Sequence, residues 1–506
     1  MLANRKAVVH KLCKRYPGNV EHKNELKNLS RLVTRQARAD KKVYYDKYLS
    51  ECGHGTRKYW QAINTELGRG AKPKISSLVA DGVELGVDGN EKVLANKFNQ
   101  YFCGVVADLS AKIDQSVRDG IVHREQKLLN SFCFFEFSAE ETSAAILKVA
   151  NKDSCGGDGI TARIIKDNRR ILAPPLTDLF NLSIRRGVFP SGFKSAIVIP
   201  VYKAGDHKSM SNYRPIALLS VLSKIFEILV KKRVLLFLLK HDYFSVRQYG
   251  FLPGRSTDDA LVDQVTEIAK SVEVGKKVAA VYLDLTKAFD TVNHDVLIKK
   301  LENCGIRGFM LQWFTSYLKD RSQSVRLRNV ESGRIRVESG VPQGSVLGPL
   351  LFLIYVNDLL MSELKGSIYS FADDTTLVYS AGSRDGLVRM INDDMLFVSS
   401  WFYQHRMYPN LAKTKVVSFG YKDPVDLHGR IWLHQNPNCA VGCGYESLSQ
   451  VYEFKYLGIM LDNKLTWSAQ SQYLQSCLRK LNYVLFYASR QFSKFHLRKI
   501  YVALFE

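Results

Sequence analysis

Apolar residues run unbroken through Val278-Ala279-Ala280-Val281-Tyr282-Leu283, a pattern with no polar face that predicts a strand covered on both sides. The run stops at Asp284. Further on, Ile368, Tyr369 and Phe371 on one side and Leu377, Val378 and Tyr379 on the other are strand-formers, predicting a short hairpin with Asp373 and Asp374 at its bend. Neighbouring side chains of a strand point to opposite faces, so only a turn lets two adjacent acids approach one spot. Another strand, Ile197-Val198-Ile199-Pro200-Val201-Tyr202, delivers Lys203 to its end; Ala204-Gly205-Asp206 turns the chain, and Asn212-Tyr213-Arg214-Pro215 is the expected return.

Helical spacing accounts for much of the remainder. Ser138 with Glu141 three positions on marks a helix start, and Ser256 or Thr257 caps a helix running to Ser271. Leu94, Phe98, Tyr101 and Phe102 line one side of a helix over residues 93–106, a stripe read as core. Pro342-Gln343-Gly344 precedes a long apolar helix over 346–360, and residues 391–401 are amphipathic. Leu474, Cys477, Leu478, Leu481, Val484 and Leu485 form a helical stripe, and a further helix starts near Ser493 with no stop signal after it. Residues 21–49 predict a long basic amphipathic helix, and Gly68-Arg69-Gly70-Ala71-Lys72-Pro73 a linker.

An acid ending a buried strand is costly unless something positive meets it. Asp284 alone could cap the following turn, and an Asp-Asp pair is common in turns. Together they suggest that Asp284, Asp373 and Asp374 converge from neighbouring strands. Crowded carboxylates raise one another's pKa, and divalent cations relieve the repulsion. Mg²⁺ takes a few carboxylates and completes its shell with substrate phosphates, and two such ions can clamp both oxygens of a phosphoryl transfer. Nucleotidyl transfer is the chemistry this pattern suggests.

The 506 residues suffice for several domains, and a formal charge of +23 points to an acidic polymer as partner. Residues 1–70 hold 16 Lys and Arg against 6 Asp and Glu, nearly half of that excess. Nine irregularly spaced cysteines suggest reduced thiols, and hence an intracellular protein of the nucleus or cytoplasm. Cys439 and Cys443 with His434 would need a second ligand pair to form a zinc site, and none is visible nearby. No secretory signal is evident, and Lys231-Lys232-Arg233 interrupts the one long apolar stretch, so no membrane span is expected.

Tyr282-Leu283-Asp284-Leu285-Thr286-Lys287-Ala288-Phe289-Asp290, then Gly340-Val341-Pro342-Gln343-Gly344-Ser345-Val346-Leu347-Gly348-Pro349, then Phe371-Ala372-Asp373-Asp374, resemble motifs A, B and C of a reverse transcriptase. Asn212-Tyr213-Arg214-Pro215-Ile216, Tyr249-Gly250-Phe251 with Pro253-Gly254-Arg255-Ser256-Thr257, and Phe454-Lys455-Tyr456-Leu457-Gly458 resemble the non-LTR branch, LINE-type elements of the jockey kind. The blocks fall in the family's order between about residues 137 and 467.

The resemblance implies an α+β right-hand polymerase: a basic helical extension over 1–135, fingers over 136–277, a palm with an antiparallel sheet over 278–462 and a partial thumb over 463–506. It implies copying of template RNA into DNA from a DNA primer or nicked target DNA, using deoxynucleoside triphosphates. Two Mg²⁺ ions, replaceable by Mn²⁺, would be held by Asp284, Asp373 and Asp374. Lys203 and Arg214 are then expected at the triphosphate, Phe289 under the sugar, and Gln343 with Gly344 at the nascent pair. Arg255 is expected on nucleic-acid backbone, and Tyr456 and Gly458 in the primer-grip strand. Lys413, or else Lys415, matches the lysine of motif D near the leaving pyrophosphate. Leu252 departs from a common arginine, and Pro409 from the leucine ahead of that lysine. Complete relatives carry an endonuclease ahead of the basic linker, and the expectation here is a chain lacking it and cut within the thumb. The competing readings are a group II intron maturase, an RNA-dependent RNA polymerase, which should lack Phe289, a generic two-metal phosphodiesterase, and an inactive copy that only binds RNA.

Overall fold

The computed structural model describes residues 2–505 apart from 54–55, 70–74, 81, 112–126, 152–153, 423 and 434–445. Most of the expected linker, and all of the His434, Cys439 and Cys443 grouping, lie outside the described residues. The chain forms two compact units, one of Ile75–Trp467 and one joining Met1–Lys74 to Ser468–Glu506.

The larger unit opens with the hairpin β1 (Ser77–Ala80) and β2 (Val83–Gly86), followed by the helix Glu91–Ala111. Leu94, Phe98 and Phe102, one helical turn apart, bury against Leu78, Val198, Tyr213 and Val325, so the expected stripe is core. Beneath it lies a sheet in which β3 (Ser195–Tyr202) pairs antiparallel with β4 (Tyr213–Leu218) and parallel with β6 (Arg321–Leu327). β6 also pairs with β7 (Val330–Glu331) and β8 (Ile335–Val337).

The second sheet is built around β5 (Lys277–Leu283). β5 lies between β10 (Asp374–Ala381), itself paired with β9 (Ser367–Phe371), and β11 (Lys415–Phe419). These pairings are antiparallel; only the edge strand β14 (Ser449–Gln450) runs parallel to β11. Between them in sequence, β12 (Trp432–Leu433) pairs with β13 (Glu446–Ser447) in a separate ribbon. The hairpin β15 (Glu453–Tyr456) and β16 (Ile459–Asp462) closes the series.

Alternation explains why β5 has no polar face. Ala279, Val281 and Leu283 belong to the main core with the helix Gly348–Leu360, whereas Val278, Ala280 and Tyr282 belong to a second core. That second core draws Ala260, Leu261 and Ile268 from the helix Thr257–Glu273, and Tyr456 and Leu461 from the last hairpin. Both expected helix starts are full capping boxes, Ser138 with Glu141 and Ser256 with Asp259. The helix expected from residue 346 begins at Gly348, and the amides of Val346 and Leu347 just ahead of it donate to Glu227 Oε2, at 2.7 and 3.0 Å. Glu227 is fully buried and also accepts from Ser223 Oγ at 2.9 Å.

The smaller unit is helical: Leu2–Arg15, Val20–Glu51, Arg57–Glu66, Ser468–Gln491 and Lys494–Phe505. Asn19 caps the long basic helix, accepting from the amides of Glu21 and His22. Leu49, Tyr59 and Ile63 share one core with Ala488, Phe492 and Ile500, and Tyr59 Oη lies 2.8 Å from His496 Nδ1. Residues from the expected basic extension and the expected thumb therefore pack together, while 75–111 pack on the β3–β6 sheet. Along the stripe of residues 474–485, Leu474 and Leu478 are 47% and 45% exposed, and only Leu485 packs against this core. The helix is held by its C-terminal end, through Leu485 and Ala488. Seven cysteines among the described residues are free thiols. No helix among the described residues is long and apolar enough to cross a membrane.

Glu227→Ala would leave two buried amides and a hydroxyl without an acceptor, and is expected to lower the unfolding free energy by roughly 2–4 kcal/mol. Thermal melting beside Glu227→Gln, which keeps an acceptor oxygen, checks this. An alanine variant as stable as wild type would remove Glu227 from that role.

Candidate active site

The hairpin of β9 and β10 pairs Phe371 with Asp374, which leaves Ala372 and Asp373 as a two-residue turn. Ala372 takes φ 60°, a left-handed conformation that a side-chain-bearing residue adopts at a cost. β5 pairs with β10 so that Leu283 faces Thr375, and Asp284 therefore leaves β5 beside the Asp373-Asp374 turn. The backbone of Asp284 is tied on its other side: its amide donates to Thr414 Oγ1 at 3.2 Å, and its carbonyl accepts from the Asn410 amide at 2.8 Å.

Electrostatics ties these acids into one site. Burial, then the charge of Asp284, raises the pKa of Asp373, against the opposing pull of Arg214 and Lys203. Asp374 is open to solvent yet recessed among protein atoms; that desolvation, then repulsion from Asp373 and Asp284, raises it to about 6. Lys413 Nζ stands 3.8 Å from Asp284 Oδ2, whereas Lys415 Nζ donates to Ser449 Oγ at 2.6 Å. Of the two candidate lysines, Lys413 is the one beside the acids. Lys203, at the end of β3, has its pKa lowered by desolvation and by Lys413 and Arg214, while Asp284 and Asp373 raise it. Arg214 sits across the ladder from Val201 and is exposed.

Three carboxylates form the oxygen donor set of a hard divalent cation, and the repulsion between them is what such a cation relieves. The residues therefore fit a metal site. They are not gathered into a preformed one: among the described residues, no three acid, histidine or cysteine side chains stand close enough to hold an ion.

The other expected site residues divide. Phe289 stacks on Phe352 with ring centroids 4.5 Å apart, and its edge approaches Phe251 at 6.4 Å. Gln343 Nε2 donates to Asp290 Oδ1 at 2.8 Å. Gly344, at φ 122°, has a local reason to be glycine, since a Cβ there would lie 2.6 Å from the Ala217 carbonyl oxygen. Gly458 completes the Leu457-Gly458 turn between β15 and β16 at φ 94°. The structure ties Arg255 and Tyr456 to other parts of the chain. Arg255 Nη1 donates to the carbonyls of Ser245 at 2.8 Å, of Val246 at 3.2 Å and of Gln248. Tyr456 is 4% exposed and packs on Tyr282, so its ring has no open face.

Two charged residues of the Thr286–Asp290 segment were given no role by the sequence reading. Lys287 is at φ 52°, with Nζ about 6 Å from the rings of Tyr101 and Phe102. Its pKa is lowered by burial, raised by Asp290 and lowered again by Lys203, Arg214 and Lys413. Burial raises Asp290 to about 6, with Lys287 and the Gln343 amide opposing. Beside Asp290 and Gln343 opens a cavity of about 590 Å³, walled by Phe102, Cys103 and Ala217. A charged pair placed three apart, directly after the apolar run of β5, was the available signal.

The family model described as "Reverse transcriptase (RNA-dependent DNA polymerase)" matches residues 202–461, more than half of the chain. The chain belongs to the reverse transcriptase family. Three relatives come from Drosophila melanogaster. The probable RNA-directed DNA polymerase from transposon BS is 29% identical over 397 residues, covering 75% of this chain and 41% of the relative. That from transposon X-element is 29% identical over 350 residues, 68% of this chain and 37% of the relative. The RNA-directed DNA polymerase from mobile element jockey is 28% identical over 361 residues, 67% of this chain and 37% of the relative. The chain thus spans 37–41% of the length of these relatives. The reverse transcriptase match takes in β4, β5, β9, β10 and β11, and so all three aspartates. Enzymes of this reverse transcriptase family use divalent metal ions.

A carboxyl whose pKa is raised by folding carries a stability penalty that is present above the folded value and absent below the unfolded value, near 4. Asp290→Asn, which retains an oxygen for Gln343, is expected to raise stability at pH 7.5 by about 1–3 kcal/mol, with the gain shrinking as pH falls from about 6 toward 4. Urea titrations across that range check it, and a pH-independent difference would contradict the assignment.

Proposed function

We propose that this chain is an RNA-directed DNA polymerase of a LINE-type mobile element, copying RNA into DNA by nucleotidyl transfer. The observation carrying the reading is the single electrostatic site formed by Asp284, Asp373 and Asp374 with Lys203, Arg214 and Lys413. Template RNA, a DNA primer or nicked target DNA, and deoxynucleoside triphosphates are the proposed substrates. Asp284, Asp373 and Asp374 would hold two Mg²⁺ ions, which supply charge neutralisation and activation of the primer hydroxyl when bound.

The primer 3′-oxygen attacks the α-phosphorus, the bond to the bridging oxygen breaks, and pyrophosphate leaves. Lys203 and Arg214 bind the triphosphate, Arg214 through its fork of donors and Lys203 as a point charge. Lys413, beside Asp284, donates a proton or charge to the departing pyrophosphate. Gln343, held by Asp290, meets the nascent pair. Phe289, braced on Phe352, fills the space a 2′-hydroxyl would need and so favours deoxynucleotides. In the smaller unit, Lys23, Lys27, Arg31, Arg35, Arg38 and Lys42 line one groove along the helix Val20–Glu51, with His10 and Lys14 of the preceding helix opposite. Their spacing of three or four puts them on one face, suited to a phosphate backbone.

The test is primer extension on an RNA template with Mg²⁺. Wild type should make DNA, and Asp373→Ala should lose about a thousandfold in rate, equivalent to roughly 4 kcal/mol. No DNA product, with RNA binding that weakens steeply with salt, would instead mark a chain that only binds RNA. On the same assay, Phe289→Ala is expected to raise incorporation of ribonucleotides relative to deoxynucleotides by about tenfold or more, the scale of one lost steric contact. An unchanged ratio would leave Phe289 as packing.

A further inference from the structure

The two-residue turn that carries Asp373 is held by a side chain outside the motif. Residues 247–250 run parallel beside β9: the Ser370 amide donates to the Arg247 carbonyl at 3.0 Å, and the Tyr249 amide to the Ser370 carbonyl at 2.8 Å. Between those bonds Gln248, 1% exposed, turns its amide toward the turn. Its Oε1 accepts from the Ala372 amide at 3.1 Å and the Gly250 amide at 2.8 Å, while its Nε2 donates to Ser370 Oγ at 3.2 Å. Ser370 Oγ donates in turn to the Ala372 carbonyl at 3.0 Å. Both backbone polar groups of Ala372 are thus engaged, directly or through one hydroxyl, by Gln248. Gly250 presses on the same place, since a Cβ on it would collide with the Ala372 nitrogen and lie 3.0 Å from the Phe371 carbonyl carbon. Arg255 Nη1 fixes the far side of the brace at the Gln248 carbonyl.

A left-handed alanine is costly, so Ala372, 4% exposed, keeps that conformation only while its surroundings hold it. A rotation at Ala372 would swing the adjoining Asp373 relative to Asp284, which is anchored separately through Asn410 and Thr414. We propose that Gln248 is a positioning residue for nucleotidyl transfer, its side-chain amide holding the Ala372-Asp373 turn in register with Asp284. It touches no substrate. The proposal rests on the polymerase reading above.

The test uses Gln248→Met, which keeps length and apolar volume but neither accepts from nor donates to the turn. Steady-state primer extension should show kcat reduced by about a hundredfold, the scale of a roughly 1 Å misplacement, with the KM for deoxynucleotide and the Kd for primer–template changed by no more than about threefold. Hydrogen–deuterium exchange of peptides spanning the turn should show the Ala372 amide exchanging about tenfold faster or more, a readout independent of catalysis. A variant kcat within about threefold of wild type, or an Ala372 amide as protected as in wild type, would overturn the proposal. If Gln248→Met does not fold, Ser370→Ala takes its place, removing only the hydroxyl relay. A fall in kcat of about tenfold is then expected, and unchanged kcat and protection overturn the proposal. Absence of DNA from wild type would sink the polymerase reading; DNA from wild type undiminished in the variant would sink this proposal alone.

Discussion

Everything in the larger unit has to accommodate like-charge repulsion at the end of a strand that is buried on both faces. β5 can carry Asp284 there only because its own backbone is paired on both edges and its side chains fill two separate cores. Burial first, and then repulsion among the carboxylates, raises the pKa of Asp373 and Asp374. Lys203 and Arg214 reach the site from the β3–β4 ladder and Lys413 from the segment ahead of β11, and their charges oppose the rise.

The features legible in the sequence are those governed by local pattern. The doubly buried β5, the hairpin of β9 and β10, the two helix starts and the stripe of Leu94, Phe98 and Phe102 follow from periodicity and short-range hydrogen bonding, although the bend falls at Ala372-Asp373, one residue earlier than expected, with Asp374 opening β10. Contacts with partners distant in sequence leave no such local trace. An arginine donates equally well to a phosphate or to a carbonyl, so Arg255 could not be assigned without knowing that the Ser245 and Gln248 carbonyls converge on it. The burial of Tyr456 likewise depends on the packing of β15 against Tyr282. Leu474 and Leu478 are exposed while Leu485 and Ala488, further along the same helix, reach the core.

Gln343 shows how residues of separate motifs act as one object. Its side chain reaches Asp290, which closes the segment after β5, and its carbonyl accepts from Ala217 of β4 at 2.8 Å. The next residue, Gly344, owes its missing side chain to the same Ala217 carbonyl. Part of what sequence reading ascribes to substrate contact is therefore contact between strands that must nest closely before any substrate arrives.

The shared core of the smaller unit has a kinetic consequence. Ile63 and Ala488 are neighbours in one cluster, yet about 425 residues separate them, which at 5–20 residues per second means roughly 20–85 s of translation. During that interval Leu49, Tyr59 and Ile63 emerge without the apolar surface that will cover them.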